Sequence, residues 1–409
     1  MSAEVKPGYK LTEVGVIPVD WDASKIYTCC SKITDGTHDT PKPVETGIPF
    51  LTAIHVKDNW IDFASSLFLT STDHADIFRR CNPEKNDVLM VNIGAGVATT
   101  ALVTVDYEFS LKNVALLKPA FKIITGPFLN YSLAQRKAKI IKDLSFGGAQ
   151  PFLSLKQIGE ILIPLPPSST EQEAIAEALS DADAHIESLE QLITKKRQIK
   201  QGAMQDLLNP LDGWKKVKLG SLGVFLKGSG VKKDESMSGN IPCIRYGEIY
   251  TKHKYYIKAF DSWISPEVAA TAKRIKSGDI LFAGSGETKE EIGKCVAFVG
   301  NIEAYAGGDI VIFRPNNANS LFLGCYLNTE SVNRQKASRG QGDAVVHIGS
   351  NALADIDLII PPVEEQAVIA AVLFDMDAEI GVLEAKLEKA LQLKRGMMHN
   401  LLTGKIRLV

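Results

Sequence analysis

Residues 165–208 read LPPSSTEQEAIAEALSDADAHIESLEQLITKKRQIKQGAMQDLL, and residues 363–402 read VEEQAVIAAVLFDMDAEIGVLEAKLEKALQLKRGMMHNLL. A shift of 194 positions lays the second stretch on the first without a gap. Identical residues then meet at many positions, and a match of this length indicates an internal duplication. The rest of the chain is arranged around these two stretches.

Both stretches carry apolar side chains at alternating steps of four and three residues, which is the pattern of a coiled-coil seam. The predicted seam consists of Ile175, Leu179, Ile186, Leu189, Ile369, Leu373, Ile380, Leu383 and Leu387. Acidic residues come first in each stretch and basic residues follow, so antiparallel packing would place acid opposite base. The pattern predicts two helices of about 38 residues, each about 57 Å long, that pair as an antiparallel coiled coil.

The segments outside these helices resemble each other more faintly. GIPFL at 47–51 matches NIPCI at 240–244, and NVALLKP at 113–119 matches DIVIFRP at 309–315. Two copies that keep a scaffold but differ in their loops favour two recognition modules that read different targets. The alternative is a duplicated structural domain whose copies have drifted, but drift alone would not spare the helix so selectively.

Within the first segment, short apolar runs at 48–54, 87–93, 101–105 and 114–117 are separated by turn-forming residues and predict strands. Residues 126–141 predict a helix. The fold class is therefore α+β, with two globular domains of mixed strands and helices separated by two long helices.

The predicted domain boundaries follow from this arrangement. They are a first globular domain at 1–163, a central long helix at 164–209, a second globular domain at 210–359 and a C-terminal long helix at 360–409.

Composition limits the class of protein. The chain has 409 residues, 45% hydrophobic and 23% charged, with a net charge of −2. Its six cysteines form no CxxC pair, which argues against a zinc site or a disulfide framework and fits a reducing cytoplasm. The sequence MSAEVKPGYK lacks the apolar core of a signal peptide, and no apolar run approaches the ~20 residues that cross a bilayer. A cytoplasmic protein without a membrane partner is expected.

Catalytic motifs are incomplete. Residues 282–286 resemble the F-x-G-x-G cofactor loop of amino-methyltransferases, but the chain lacks the Asn/Asp-Pro-Pro-aromatic segment that would hold a flipped base. Gly293-Lys294 is followed by Cys295 instead of Ser or Thr, so a phosphate-binding P-loop is absent. The sequence predicts no catalytic residue, no metal site and no cofactor on this chain.

Several of these features together resemble the specificity subunit of a type I restriction–modification system. They are the helix starts PPSSTEQEAIA at 166–176 and PPVEEQ at 361–366, the Asp-x-Asp heptad helix, the doubled layout, and ITDGTHDTPKP at 33–43. The resemblance covers essentially the whole chain.

The resemblance implies a division of labour. Each globular domain would be a target-recognition domain that binds one half of a bipartite, asymmetric site in double-stranded DNA. The helices would hold the domains apart and dock two methyltransferase subunits, and restriction (motor–nuclease) subunits would join them. S-adenosylmethionine, ATP and Mg would then be bound by the partner subunits.

Candidate DNA-binding residues combine cations with polar and aromatic groups, because cations attract phosphates and Arg pairs with guanine. In the first domain they are Asp35, Thr37, His38, His55, Lys57 and Asn59. In the second they are Lys227, Ser229, Lys232, Lys233, Arg245, Tyr246, Tyr250, Lys252, Lys254, Arg339 and Gln341. For 244–258 the alternative is a half-buried strand pair with solvated lysines.

Two other functions remain open from the residues alone. The first is an S-adenosylmethionine-dependent DNA methyltransferase that uses the loop Phe282–Gly286. The second is a coiled-coil adaptor that does not bind DNA.

Overall fold

The computed structural model describes residues 5–144, 152–342 and 345–408. The chain divides into two compact units, which we call unit 1 (Met1–Glu190 with Ala385–Val409) and unit 2 (Gln191–Glu384). Each unit contains one globular segment and one part of each long helix. No helix in the described ranges combines the length and apolarity needed to cross a membrane.

The first half of the chain is built mainly from short strands. The strands are β1 (Tyr9–Thr12), β2 (Gly15–Pro18), β3 (Asp22–Lys25), β4 (Cys30–Asp35), β5 (Ile48–Leu51), β6 (Val56–Lys57), β7 (Trp60–Ile61), β8 (Leu67–Leu69), β9 (Val88–Val91), β10 (Thr100–Leu102), β11 (Ser110–Leu111), β12 (Val114–Pro119) and β13 (Leu162–Leu165). The helices are α1 (Ile26–Cys29), α2 (Ser71–Cys81), α3 (Gly126–Leu144), α4 (Leu155–Glu160) and α5 (Ser169–Leu207).

The second half repeats this composition. The strands are β14 (Lys215–Lys218), β15 (Gly223–Lys227), β16 (Ile241–Ile244), β17 (Ser262–Ile264), β18 (Lys273–Ile275), β19 (Ile280–Ala283), β20 (Ser285–Gly286), β21 (Cys295–Ala297), β22 (Ala304–Ala306), β23 (Ile310–Pro315), β24 (Val346–His347) and β25 (Asp357–Ile360). The helices are α6 (Tyr246–Thr251), α7 (Pro266–Thr271), α8 (Ser320–Tyr326), α9 (Glu330–Arg339), α10 (Ser350–Ala354) and α11 (Val363–Leu401).

Sheet topology confirms the tandem duplication. Unit 1 has an antiparallel sheet of order β10-β9-β12-β4, and unit 2 has the same arrangement as β21-β19-β23-β15. In a second sheet, β5 pairs parallel with β11 and antiparallel with β8, just as β16 pairs with β22 and β17. The repeated segments at 113–119 and 309–315 form β12 and β23, so they occupy the same place in both units.

The predicted strands and the helix at 126–141 of the first segment are present as β5, β9, β10, β12 and α3. The sequence pattern missed α2. Its buried residues His74, Ile77 and Cys81 lie on one face, and Thr70 caps its first turn by accepting a bond from the Asp73 N–H (3.2 Å). A segment with so few apolar positions does not predict a helix. Helix α2 forms because packing against the sheets stabilises it.

The long helices confirm the predicted scaffold. Each has 39 residues, and the predicted seam residues are buried except Leu387, which is half-buried. In unit 2 the partners run in opposite directions: Arg197 pairs with Glu384 (2.6 Å), whereas the later Lys200 pairs with the earlier Asp377 (2.5 Å). Lys196 also pairs with Glu379 (2.6 Å). The helix segments are therefore antiparallel, as the order of acids and bases predicts.

One ion pair occurs in both units. Lys200 binds Asp377 (2.5 Å) in unit 2, and Lys394 binds Asp183 in unit 1. The shift of 194 positions exchanges these two pairs, so the identity of the two helices at these positions has a structural cause. Each lysine also lies over a tyrosine ring of its own unit.

The repeated glutamine at each helix start attaches the helix to its globular segment. The amide oxygen of Gln172 accepts from the Thr125 N–H (2.9 Å), and its amide nitrogen donates to the Ile123 carbonyl (2.9 Å). Gln366 likewise accepts from the Asn319 N–H (2.9 Å) and donates to the Pro361 carbonyl (2.8 Å). Buried amides need such partners, so both copies retain the same contact.

A buried ion pair lies nearby in each unit. Asp87 binds Lys118 (2.7 Å), and Asp279 binds Arg314 through two bonds of 2.7 and 2.8 Å. We call the region of these ion pairs and glutamines the helix end of each unit. The opposite ends of β9 and β19 lie about 13 Å away, at 3.3 Å per residue.

Candidate nucleic-acid interface

The edge strand of the four-stranded sheet leads into the same kind of loop in both units. β4 ends at Asp35, which stands opposite Ala115 of β12. β15 ends at Lys227, which stands opposite Val311 of β23. Ala115 and Val311 are the third residues of the repeated segments, so the aspartate and the lysine occupy equivalent positions. Two predicted DNA-binding loops are thus one structural feature with different side chains.

A glycine follows in each loop for a steric reason. The Gly36 N–H donates to the Val114 carbonyl (3.1 Å), and the Gly228 N–H donates to the Ile310 carbonyl (2.8 Å). A Cβ at either glycine would overlap a backbone carbonyl oxygen of the neighbouring segment. Only glycine permits this close approach of the two backbones.

In unit 1 a network of polar side chains holds the loop. The Arg80 guanidinium donates to Asp35 (2.7 Å), and His38 contacts Asp35 through Nε2 (3.1 Å). Nδ1 of His38 lies 2.8 Å from Oδ1 of Asn113. Asp35 is buried and therefore organises the loop, whereas the His38 side chain is 61% exposed and remains available at the surface.

The hydroxyl groups of both loops bind backbone. The buried Thr37 accepts from the Asp39 N–H (3.1 Å), and the exposed Ser229 donates to the Thr271 carbonyl (2.9 Å). Beyond Ser229, the predicted cations Lys232 and Lys233 are exposed, as is Lys227 before it. The exposed groups of the unit 2 loop are therefore lysines. In the unit 1 loop a histidine is exposed, and the carboxylate of Asp35 is buried.

Arg245 lies beside the unit 2 loop. The Gly307 N–H donates to the Ile244 carbonyl and the Gly308 N–H donates to the Gly230 carbonyl, both at 2.9 Å. These bonds bring the residue after β16 next to the segment after β15. Arg245 is half-buried, with its backbone N–H turned to a carboxylate of the following helix.

The stretch after Arg245 is helical, so the alternative of a strand pair is wrong for 246–251. Tyr246 begins α6 and is 39% exposed. Tyr250 is turned inward, where its hydroxyl donates to the Ser285 carbonyl (3.1 Å). Burial raises the pKa of Tyr250 to about 12. Tyr250 thus supports the site from behind.

The next two predicted cations have partners within the unit. Lys252 lies 3.5 Å from the Asp261 carboxylate. The Lys254 ammonium lies 5.4 Å from the centre of the Tyr255 ring, beside the helices. Tyr255 and its neighbour Tyr256 pack at the far end of β21, away from the loop that follows β15.

Three predicted contacts of unit 1 lie outside the loop region. His55 is 1% exposed; its Nδ1 accepts from the Thr52 N–H (2.9 Å) and its Nε2 binds the Ser65 carbonyl (3.1 Å). Asn59 donates to Asp183 of the long helix (2.8 Å). Burial and these bonds make both residues structural, while Lys57 between them is exposed.

Arg339 and Gln341 lie at and just after the end of α9. The Arg339 guanidinium donates to the Gln335 carbonyl (2.9 Å), so it caps its own helix. Gln341 is exposed and exchanges two backbone bonds with His347, at 2.9 and 2.8 Å. Gln341 therefore reaches the loop region, whereas Arg339 is turned away from it.

The structure adds residues that sequence reasoning missed. In unit 2, Ser285 stands opposite His347, and the Ser285 hydroxyl lies 2.9 Å from His347 Nδ1. A cleft of about 520 Å³ beside them is also lined by Lys227, Asp309 and Ser350. In unit 1 an isolated bridge joins different residues at the equivalent place. A faint sequence repeat alone does not align such distant segments.

We call this region the loop end of each unit. In unit 1 it comprises residues 35–38, 93, 113 and 152, and in unit 2 it comprises residues 227–229, 285, 309 and 347. Arg245 and Tyr246 border it in unit 2.

The glycine-rich stretch 282–286 is a structural element. Phe282 is fully buried in β19, and the Gly284 N–H donates to the Asp309 carbonyl (2.7 Å). Gly286 continues into β20, where a Cβ would crowd the Tyr250 hydroxyl. The pattern that resembles a cofactor loop thus has a packing explanation.

Comparison with known proteins agrees with this architecture. The family model of the type I restriction modification DNA specificity domain matches twice, at residues 30–201 and 211–393. The MjaVIII type I restriction enzyme specificity subunit of Methanocaldococcus jannaschii is 24% identical over 420 residues, covering 96% of this chain and 94% of the relative. A second M. jannaschii sequence, MjaX, assigned as a specificity subunit, is 25% identical over 430 residues, covering 98% and 96%.

The fold is also that of a solved structure. The crystal structure of the type I restriction–modification S subunit from M. genitalium matches with a TM-score of 0.60 at 16% identity, covering 97% of this chain and 98% of that one. The chain belongs to the type I restriction modification DNA specificity family. Within that family it is a specificity subunit of a type I restriction–modification system. The matches favour this assignment over a methyltransferase and over a DNA-free adaptor.

Proposed function

We propose that the two loop ends read the two halves of a bipartite, asymmetric DNA site. The observation that carries this proposal is the contrast between equal backbones and unequal side chains. Asp35 of unit 1 is replaced by Lys227 in unit 2, and Asn113 is replaced by Asp309, on strands of the same register. Bases are distinguished by donors, acceptors and methyl groups, so two such surfaces read two different sequences.

Charge supports DNA as the ligand of unit 2. The exposed Lys227, Lys232 and Lys233 lie on one loop, and Arg245 borders it. Phosphate contacts of this kind supply affinity and orientation, whereas base contacts supply specificity. Binding is therefore expected to weaken as salt concentration rises.

The chain itself acts as a non-catalytic subunit in this proposal. Two methyltransferase subunits dock on the long helices, and restriction (motor–nuclease) subunits complete the endonuclease. S-adenosylmethionine, ATP and Mg are bound by those partners. The supporting observation is that residues 282–286, which resemble a cofactor loop, are committed to strand pairing and core packing.

Genome-wide mapping of methylated adenines tests the proposal. The chain is co-expressed with its methyltransferase subunit, and the expected product is one asymmetric motif of two specified segments with an unread gap. Footprinting of the complex should protect the same two segments. A single uninterrupted motif would contradict the two-surface proposal, and absence of any protection would favour an adaptor. Calorimetric binding of S-adenosylmethionine by the isolated chain would favour the methyltransferase alternative.

The helices are proposed to set the gap between the half-sites. Four residues, about one turn, inserted into both helices add about 6 Å at 1.5 Å per residue. The preferred gap should grow by one or two base pairs at roughly 3.4 Å each. Substituting four exposed helix residues without changing the length is the control. An unchanged gap in an active complex would contradict the spacing role.

A further inference from the structure

Each loop end contains one pair of bridged residues, and this pair is polar in unit 2 and apolar in unit 1. In unit 2 the Ile348 N–H donates to the Gly284 carbonyl (2.9 Å), and in unit 1 the Leu153 N–H donates to the Asn92 carbonyl (2.7 Å). These bonds align the two units residue by residue. The neighbouring bridges therefore correspond as well.

The corresponding bridges carry opposite chemistry. Ser285 pairs with His347 in unit 2, and Ile93 pairs with Phe152 in unit 1. Ile93 is 36% exposed and Phe152 is 52% exposed, so the unit 1 pair presents apolar surface to solvent. The unit 2 pair presents an exposed imidazole.

The imidazole of His347 is held in place from behind. Ser285 is buried, its hydroxyl lies 2.9 Å from His347 Nδ1, and its carbonyl accepts from the Tyr250 hydroxyl (3.1 Å). This chain of contacts fixes Nδ1 and leaves Nε2 as the atom that meets a ligand in the cleft lined by Lys227 and Asp309. A fixed ring nitrogen forms a directional hydrogen bond, whereas an exposed phenyl ring does not.

We infer that these two equivalent residue pairs determine specificity, and we call them the specificity switch. His347 reads a hydrogen-bonding base edge, and Ile93 with Phe152 reads a thymine methyl. The inference rests on the proposed function, because it assigns residues to the two DNA-reading surfaces. Major-groove edges offer both kinds of group: acceptors or amino donors on every base pair, and the C5-methyl only on thymine. Ser285 is the positioning residue of the polar pair.

Methylation mapping of matched exchange variants tests the inference. His347→Ala should relax one base position of the second half-site, with discrimination falling about fivefold, the lower value for a base contact. Phe152→Ala should relax one position of the first half-site, a position specified as thymine. The double variant Ser285→Ile with His347→Phe should shift the relaxed position toward thymine. Ile93→Ser with Phe152→His should remove the thymine preference from the first half-site.

Two readouts separate specificity from stability. Each variant leaves the other unit unaltered, so an unchanged opposite half-site shows that the complex is assembled. Ser285→Ala should reduce discrimination at the His347 position without changing the slope of affinity against salt, because phosphate contacts remain; Ser285→Thr should restore it. In addition, uracil, which lacks the C5-methyl, can replace the specified thymine. This replacement should weaken DNA binding by the natural chain and leave DNA binding by the Phe152→Ala variant unchanged.

The possible outcomes separate a failure of the specificity switch from a failure of the proposed function. If the natural chain directs a bipartite motif but His347→Ala leaves the second half-site unchanged, the switch is refuted and the proposed function stands. If a first half-site without thymine is found, the apolar half of the switch is refuted. If the natural chain directs no bipartite motif, the proposed function itself fails.

Discussion

At the helix end, the Asp87–Lys118 pair of unit 1 is matched by the Asp279–Arg314 pair of unit 2. At the loop end of the same sheets, an aspartate is matched by a lysine and a phenylalanine by a histidine. The two units share the same strand order, so the backbone does not cause the difference between their loop ends. The ion pairs of the helix end keep the same charges in both units, whereas side chains of the loop end differ in chemical kind. The helix end therefore maintains the shared architecture, and the loop end is where the two units differ.

The largest effect is expected from breaking the helix end. Asp279→Ala leaves the Arg314 guanidinium and the Lys276 N–H without the fully buried carboxylate that binds them. Removing one partner of a buried pair lowers the free energy of unfolding by about 3 kcal/mol. Urea denaturation measures this loss, and Asp87→Ala is the matched variant in unit 1. A changed methylation motif with unchanged stability would contradict a purely structural role.

A smaller effect is expected from the loop glycines. Gly228→Ala forces a Cβ against a backbone carbonyl oxygen, and overpacking of this kind costs about 1–3 kcal/mol. Recognition of the second half-site should be lost while the first is kept, and Gly36→Ala should do the reverse. Gly247→Ala is the control, because a Cβ there meets no atom within 4 Å. Equal loss at both half-sites would argue against separate surfaces.

Arg245→Ala removes a single side chain that borders the loop end of unit 2. Loss of one guanidinium contact to a base or phosphate should weaken binding by about 1–2 kcal/mol. The loss should appear at the second half-site alone, as measured by titration of oligonucleotides that carry one altered half-site. His38→Ala is the matched variant for the first half-site. A uniform loss across both half-sites would indicate a folding defect.

The smallest effect concerns pH. Burial lowers the pKa of His253 in unit 2, where Asp261, Lys252 and Lys294 are the nearby charges. A depressed folded-state pKa favours the neutral ring, so stability is complete above the unfolded value of about 6.5 and declines as pH falls below it. Urea midpoints of the natural chain should therefore drop on acidification, and those of His253→Gln should drop less. Parallel curves would contradict the assignment.

Local patterns predicted much of the fold. The heptad spacing that includes Ile175 and Leu179 predicted the long helices, and the order of charges predicted their antiparallel pairing. Helix α2 was missed because it has few apolar positions of its own and is stabilised by the sheets. The candidate site was predicted only in part: Lys227 and His38 lie at the loop ends, whereas His55 is buried.

The duplication, the length of the helices and their direction follow from local sequence, because spacing and charge order are read along the chain. The identity of the side chains that share a surface follows from the tertiary fold. Ser285 and His347 are 62 positions apart and meet because β20 pairs with β24. Strand register depends on packing between distant segments, and that register converts scattered residues into two equivalent but chemically different loop ends.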